Sequence, residues 1–340
     1  MKKLLLFLLI SSLFFIDLQA RNIDDMMDRN VNIPTQPQRV YATAPFGCFA
    51  LYAIDPSLLI GWIFPLNKEQ LPYLDKRMQT LPTIGRIFGA GRTANLEVLL
   101  SHRPDLILMW FKSDEFTAKE EDRLKLLNAP VVYAKEDSLF DYPKIFRFLG
   151  DVLKREERAE KLATYTEEVF QKVSLHVENT KDSKLPRVYY AEGLDGLLTE
   201  CDNSVHAELL HIAGDVNIHR CKSTNPKGFE KISMETLIQY DPEVIIVQEK
   251  IFYDEIYNKP LWANINAVKN KRVHMIPRSP FNWFDRPPSF MRILGLQWTM
   301  SHIYPDTFNI NIKQETKKFY KLFLGVDISD AQVDSILAGE

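Results

Sequence analysis

The chain has 340 residues, 46% of them hydrophobic, and a formal net charge of -3. This length and apolar content suffice for two ordinary domain cores, and the slightly acidic balance excludes the basic footprint of a nucleic-acid binder. Three cysteines, Cys48, Cys201 and Cys221, leave an odd one.

Lys2 and Lys3 precede an apolar run over residues 4–16, which closes at Asp17 and leads to Leu18-Gln19-Ala20. The run is shorter than the roughly 20 residues a membrane span needs. Residues 1–20 therefore read as a signal peptide with a small residue at the cleavage point, and the mature chain is expected to begin near Arg21. No cysteine follows that point, so a lipid anchor is not expected.

Apolar runs bounded by turn residues predict strands at 39–43, 59–63, 106–110 and 131–133, alternating with helices. The segment 150–180 has apolar residues at helical spacing, including Val152, Leu162, Val169 and Val173, with charges between them. It lacks the glycine and serine of a flexible linker and is predicted to be one long linking helix. Further strands are predicted at 187–191, 244–247 and 273–276. Alternation of this kind implies an α/β fold with mainly parallel sheets. The expected organisation is an N-terminal lobe over 21–149, the linking helix over 150–180, and a C-terminal lobe over 181–340 that ends in a helical tail.

An internal repeat supports two lobes. Asn95-Leu96-Glu97-Val98-Leu99 followed by Arg103-Pro104-Asp105-Leu106-Ile107 recurs as Ser233-Met234-Glu235-Thr236-Leu237 followed by Asp241-Pro242-Glu243-Val244-Ile245. The copies are offset by a constant 138 residues (235 − 97 and 242 − 104). Each copy reads as a capped short helix, a stop at proline, an acidic residue and a strand. Arg39-Val40-Tyr41 and Arg187-Val188-Tyr189 open the two halves alike. Ligands of such sheets bind beyond the carboxyl ends of the strands, which directs attention to the loops 44–48, 85–92, 110–112, 134 onward, 192–195 and 277–289.

These segments, with Leu81-Pro82-Thr83-Ile84-Gly85 and Ala213-Gly214-Asp215-Val216-Asn217, resemble the periplasmic substrate-binding proteins of ABC importers whose lobes are joined by one long helix. That class serves cobalamin, haem, ferric siderophores and other metal complexes. Asn282-Trp283-Phe284-Asp285-Arg286 is most similar to the cobalamin-binding members, with Asn282 where those have aspartate. The tail beyond Tyr304 resembles larger members that serve haem, iron or molybdate. The resemblance implies a periplasmic, monomeric, non-catalytic protein with a ligand cleft between the lobes and no permanently bound cofactor. It also implies delivery to a membrane permease with its cytoplasmic ATPase, with Glu97 and Glu235 as permease-docking carboxylates. Helix initiation alone is the plainer role for both glutamates.

For the ligand, Arg86 and Arg92 flank the glycines of 85–92 and suit oxyanions or carboxylates, or else form surface ion pairs. Phe46, Trp110 and Trp283 are candidate aromatic walls, with core packing the alternative for the tryptophans. Asp285 and Arg286 are a candidate polar contact, or else an internal ion pair.

Cys201, His206, Glu208, His211, His219 and Cys221 concentrate donors suited to zinc, nickel or copper. Their spacing matches no standard zinc site, and His206 alone is taken as a metal or chelate ligand. Cys201 and Cys221 can pair in an oxidising compartment or remain free thiols. Two alternatives to a metal-complex binder stay open. One is a binder of molybdate, tungstate, nickel or cobalt, and the other is a secreted metalloenzyme with Glu208 as base. Against the enzyme stands the absence of His-Glu-x-x-His, Gly-x-Ser-x-Gly and Walker signatures.

Overall fold

Residues 20–87, 94–111, 122–222 and 228–339 are described by a computed structural model. The signal-peptide reading of the first residues and the candidate Arg92 lie outside them. The described chain starts with an antiparallel hairpin, β1 (Ala20–Asp24) and β2 (Asn30–Pro34), not expected from the sequence. Buried Asp25 pins its turn, accepting from the backbone of Met27 and Arg29 and from Tyr133 N of the first lobe.

The first lobe continues with β3 (Val40–Ala42), α1 (Pro45–Ile54), α2 (Leu96–His102), β4 (Leu106–Phe111) and β5 (Val131–Lys135). Its parallel sheet has the order β3-β4-β5, with Val40 opposite Leu106 and Ile107 opposite Val131. The strand expected at 59–63 is reduced to single bridges, Leu59 to Val40 and Trp62 to Thr83. Pro56 opens a short 3-10 turn just before it, which leaves little chain for a ladder.

The linking helix is shorter than expected. Residues 150–153 belong to a preceding helix, α3 (Tyr142–Leu153), which stops at Lys154 in the left-handed region (φ 56°), and α4 (Glu156–Thr180) follows. The two helices pack as a corner, and a Cβ on Gly150 would lie 2.4 Å from that of Ala159. Glycine makes the approach possible. At 1.5 Å per residue the 25 residues of α4 span about 37 Å. The helix buries Leu162, Ala163, Val169, Phe170 and Val173 along one face, so it lies on the core as well as linking the lobes.

The second lobe contains β6 (Val188–Ala191), β7 (Leu198–Glu200), α5 (Glu208–Ile212), β8 (Phe229–Lys231), α6 (Met234–Tyr240), β9 (Val244–Val247), β10 (Val273–Met275) and α7 (Met291–Ile303). Its parallel sheet has the order β10-β9-β6, and β7 and β8 form a separate antiparallel pair.

The repeat has the same physical basis in both lobes. α2 and α6 are capped by Asn95 and Ser233 and end at Arg103 (φ 44°) and Asp241 (φ 40°). Asp105 accepts from Arg39 N and Glu243 from Arg187 N, each at 2.9 Å. The Arg39 and Arg187 side chains donate to the last carbonyls of α2 and α6. Each arginine satisfies orphan helix carbonyls and each acid ties a strand start to its neighbour.

Side chains alternate across both sheets. Val40, Leu106, Leu108, Val132, Val188, Val244 and Ile246 face one continuous core shared by the lobes, while Tyr41, Ile107, Tyr133, Tyr189 and Ile245 face separate outer clusters. Truncating a buried aliphatic such as Ile246 to alanine costs about 2–5 kcal/mol.

The helical tail, α8 (Ile312–Phe319), a π-turn over 320–324 and α9 (Asp330–Leu337), does not extend the second lobe alone. Tyr52 of α1 donates to Leu324 O at 2.9 Å and Arg158 of α4 donates to Leu322 O. Phe290 stacks on Phe323 at 5.5 Å from the other side. The tail straddles both lobes.

Candidate functional site

The carboxyl end of β6 and the end of the separate strand β7 converge on Arg286. Its Nε donates to Glu192 Oε1 at 2.7 Å and its Nη2 to Glu200 Oε1 at 2.6 Å, with Asp285 Oδ2 3.3 Å from Nε. The guanidinium carbon sits 4.0 Å above the Phe229 ring, a cation–π contact. Glu192, Glu200 and Asp285 are fully buried, whereas the Arg286 side chain keeps 24% of its surface exposed. Burial, opposed by Ser204 and reinforced by the neighbouring Glu192, pushes the Glu200 carboxyl up to about 8. Burial likewise raises Glu192. Burial works against the charge of Arg286, but Glu192 and Asp285 hold its guanidinium above the usual range.

Asn282 shapes this loop, accepting from Phe284 N at 2.7 Å and Asp285 N at 3.0 Å while donating to Gln248. Asp285 accepts from the Tyr190 hydroxyl at 2.9 Å and lies 3.0 Å from His206 Nδ1. Asp285 therefore stands behind His206 and Arg286 within ion-pair distance of both; as a buried group it is not itself a surface for a ligand. His206 retains 18% exposure of its side chain.

The first lobe contributes Phe46, half-buried and stacked on Trp110 at 6.2 Å with the rings inclined by 20°. Trp110 is buried, and its Nε1 donates to Glu136 at 3.1 Å. Phe46 is thus the more exposed ring of the pair, and Trp110 backs it. Arg86 is partly exposed on the loop after Gly85.

Trp283 corrects the expectation of an aromatic wall. It is fully buried, donates to Ser279 O at 3.0 Å, and lies under α7, where a Cβ on Gly295 would come within 1.7 Å of its carbonyl oxygen. The proline-rich loop folds inward beneath that helix rather than standing over the open side.

The metal window also reads differently in three dimensions. Cys201 and Cys221 form a disulfide with Cα atoms 4.9 Å apart, which removes both thiolates from metal binding. His211 is ion-paired with Asp215 at the surface, and His219 meets the Tyr240 hydroxyl at 3.0 Å. Glu208 accepts from Leu139 N at 2.7 Å and from fully buried Arg292, so it is not poised as a catalytic base. Beside this group a cavity of about 540 Å³ opens between Asp137 of the first lobe and Asp202, Ser204, Glu208, Asp215 and Arg220 of the second.

Sequence reasoning named none of Glu136, Glu192, Glu200 and Arg292 as site residues, although Glu136 stands in the loop from residue 134 onward that the strand pattern singles out. Glu192 stands in a loop that the strand pattern does single out, immediately after β6. Glu97 and Glu235 are exposed at the starts of α2 and α6. The backbone N–H groups of its own helix start, with Ser233, hold Glu235 below the usual carboxylate range. No helix of the described residues is long and apolar enough to cross a membrane.

Comparison with known proteins matches this arrangement to transport proteins. The solved ABC transporter solute binding protein from Sulfurospirillum deleyianum shares 37% identity over 93% of this chain and 98% of its own, with a TM-score of 0.85. The molybdate-binding protein MolA of Haemophilus influenzae is 23% identical over 95% of this chain and 96% of its own. The high-affinity heme uptake system protein IsdE of Staphylococcus aureus is 26% identical over 64% of this chain and 76% of its own. The sequence profile described as periplasmic binding protein matches residues 83–280. With two lobes, parallel sheets and a linking helix in common with these transport proteins, the chain belongs to the periplasmic binding protein family.

Proposed function

We propose that this protein is the exported capture component of an ABC importer, binding a metal complex between its lobes and delivering it to a membrane permease and its ATPase. The observation that carries the choice of cargo is the carboxylate excess around Arg286. Glu192, Glu200 and Asp285 face one guanidinium; with Glu200 holding its proton at neutral pH the group carries at most one excess negative charge, which still favours a metal centre over an oxyanion. Phe46 on the opposite lobe offers an apolar face to the organic part of a chelate. The leader over 1–20 fits export, and exposed Glu97 and Glu235 fit docking on basic groups of the permease.

A second reading, capture of a small oxyanion such as molybdate, is favoured by Arg86 on the first lobe and by the likeness to MolA across nearly the whole chain.

A fluorescence titration of the mature chain distinguishes them, with Trp110 as the reporter beside Phe46. The panel is haem, cobalamin, a ferric siderophore, nickel with histidine, and molybdate, with inner-filter controls. Saturable quenching by one metal complex, weakened in Phe46→Ala, is the expected result; a response to molybdate alone overturns it.

A further inference from the structure

We propose that the Glu192–Glu200 pair beneath Arg286 is a cation-binding subsite whose built-in counter-ion, the Arg286 guanidinium, is displaced by the divalent metal of a bound ligand. This rests on the reading that the cargo contains a metal, and it names where the metal goes.

The two glutamates are held together by backbone pairing. Glu192 N donates to Leu198 O at 2.8 Å and Leu198 N to Glu192 O at 3.1 Å, so Glu200, two residues further on, shares a face with Glu192. Each carboxylate gives one oxygen to Arg286. Among the described residues no donor is assigned to the other oxygen of each, Glu192 Oε2 and Glu200 Oε2, although the two carboxyl groups lie within hydrogen-bond reach of each other and Ser204 approaches Glu200. Buried carboxylate oxygens are rarely left so, because the lost hydration is not replaced. Two such oxygens side by side are what a metal coordinated by oxygen would satisfy.

The surroundings leave room for exchange. A Cβ on Gly228 would lie 2.4 Å from Glu200 Oε2, so glycine alone keeps a side chain off that oxygen. Arg286 reaches the pair from the partly exposed side on a flexible stem, resting on the Phe229 ring. It can withdraw while the glutamates stay fixed. His206, whose Nδ1 lies 3.0 Å from Asp285 Oδ2, borders Glu200 beside Gly228 and can add an imidazole nitrogen. The chelator completes the shell of the metal, which accounts for a protein contribution of few ligands.

The test is calorimetric titration of the chelator-stripped mature protein with manganese(II) chloride and zinc chloride. Arg286→Gln removes the counter-ion and is expected to bind the metal about tenfold tighter than the unaltered protein. The gain should vanish when Glu192→Gln or Glu200→Gln is added. Phe229→Leu, which keeps every charge and only loosens Arg286, should tighten binding in the same direction and serves if Arg286→Gln does not fold. Metal affinity unchanged in both variants, or a gain that survives the glutamine substitutions, overturns the subsite. The two readings fail separately. Chelate capture intact in Glu192→Gln and Glu200→Gln overturns the subsite and leaves the proposed function standing. A fluorescence response to molybdate alone overturns the function and with it the entry of the cargo's metal into the subsite, and a metal gain of Arg286→Gln then supports only a cation site at the glutamate pair.

Discussion

The guanidinium of Arg292, at the start of α7 in the second lobe, donates to Glu136 of the first lobe at 2.5 Å with both side chains out of contact with solvent. A second nitrogen of the same group donates to Glu208, which in turn accepts from Leu139 N. The lobes are thus joined by a buried ionic bridge in addition to α4. Burial opposes the charge of Arg292, but Glu136 and Glu208 hold the group above its usual range. Arg292→Met takes the guanidinium from between two largely buried carboxylates, leaving them neutral donors such as Trp110 Nε1 and Leu139 N, and should cost about 3–5 kcal/mol of stability. Adding Glu136→Gln and Glu208→Gln should restore most of that, because no buried charge then remains. Urea unfolding of the single and triple variants measures both; equal losses would mean that the charges are not the source.

Glu97 and Glu235 should matter for transport and not for ligand capture. Each is followed one turn later by an exposed apolar residue, Leu100 at 45% and Ile238 at 51%, at the same offset as the glutamates. Residues three apart share a helix face, so each lobe presents the same acid and apolar pair. Glu97→Lys or Glu235→Lys should reduce uptake in permease-containing vesicles by about tenfold or more, since like charges across an interface cost several kcal/mol. The fluorescence titration should be unchanged. Undiminished uptake in both reversals would remove the docking role.

Much of this architecture is legible in the chain because its causes are local or periodic. The repeat is readable since cap, helix stop, acid and strand follow one another without a gap, and the structure gives each of these residues the same job twice, as Asp105 and Glu243 demonstrate. What was not legible depends on contacts between distant segments. Trp283 reads as a loop aromatic, and only the close approach of Gly295 turns that loop inward. Gly150 reads as helical, which it is, but the corner at Lys154 is set by packing against Ala159. Nothing in the sequence pairs Glu192 with Glu200; their burial beneath Arg286 comes from distant segments meeting, a relation that no spacing encodes. The disulfide is intermediate, since the sequence offers the two cysteines and the fold decides their separation.

That disulfide closes a loop with a sequence separation of 20 residues. In the chain-entropy account a loop of this size contributes about 3 kcal/mol. It also holds the end of β7, and with it Glu200, against the segment that carries Asn217, whose Nδ2 donates to Glu200 O at 3.0 Å. Reduction, or Cys201→Ser with Cys221→Ser, should lower unfolding stability by about 3 kcal/mol. Thiol titration should find one cysteine, Cys48, reactive only after unfolding, because burial keeps that thiol up and protonated. A loss well under 1 kcal/mol on reduction would show that the unfolded chain is not restrained by the bridge.

His274 on β10 and His302 at the end of α7 meet edge to face with ring centroids 4.2 Å apart. His302 Nδ1 lies 2.8 Å from Trp298 O, while His274 Nε2 has no hydrogen-bond partner among the described residues. Burial first, then His302 and Arg272, lowers His274 to about 2, and burial also lowers His302. A histidine whose folded pKa is depressed contributes stability that is present above the unfolded value of 6.5 and is lost as pH falls toward the folded one. Below 6.5 the unfolded chain takes up protons that the folded chain refuses, at about 1.4 kcal/mol per pH unit for each histidine. Stability measured by urea unfolding should therefore fall between pH 6.5 and 4. His274→Leu should flatten that decline, and at pH 8 it should be no less stable than the unaltered chain, since it removes an unpartnered buried nitrogen. Identical acid slopes in the two proteins would place the loss elsewhere and leave this pair without a titratable role.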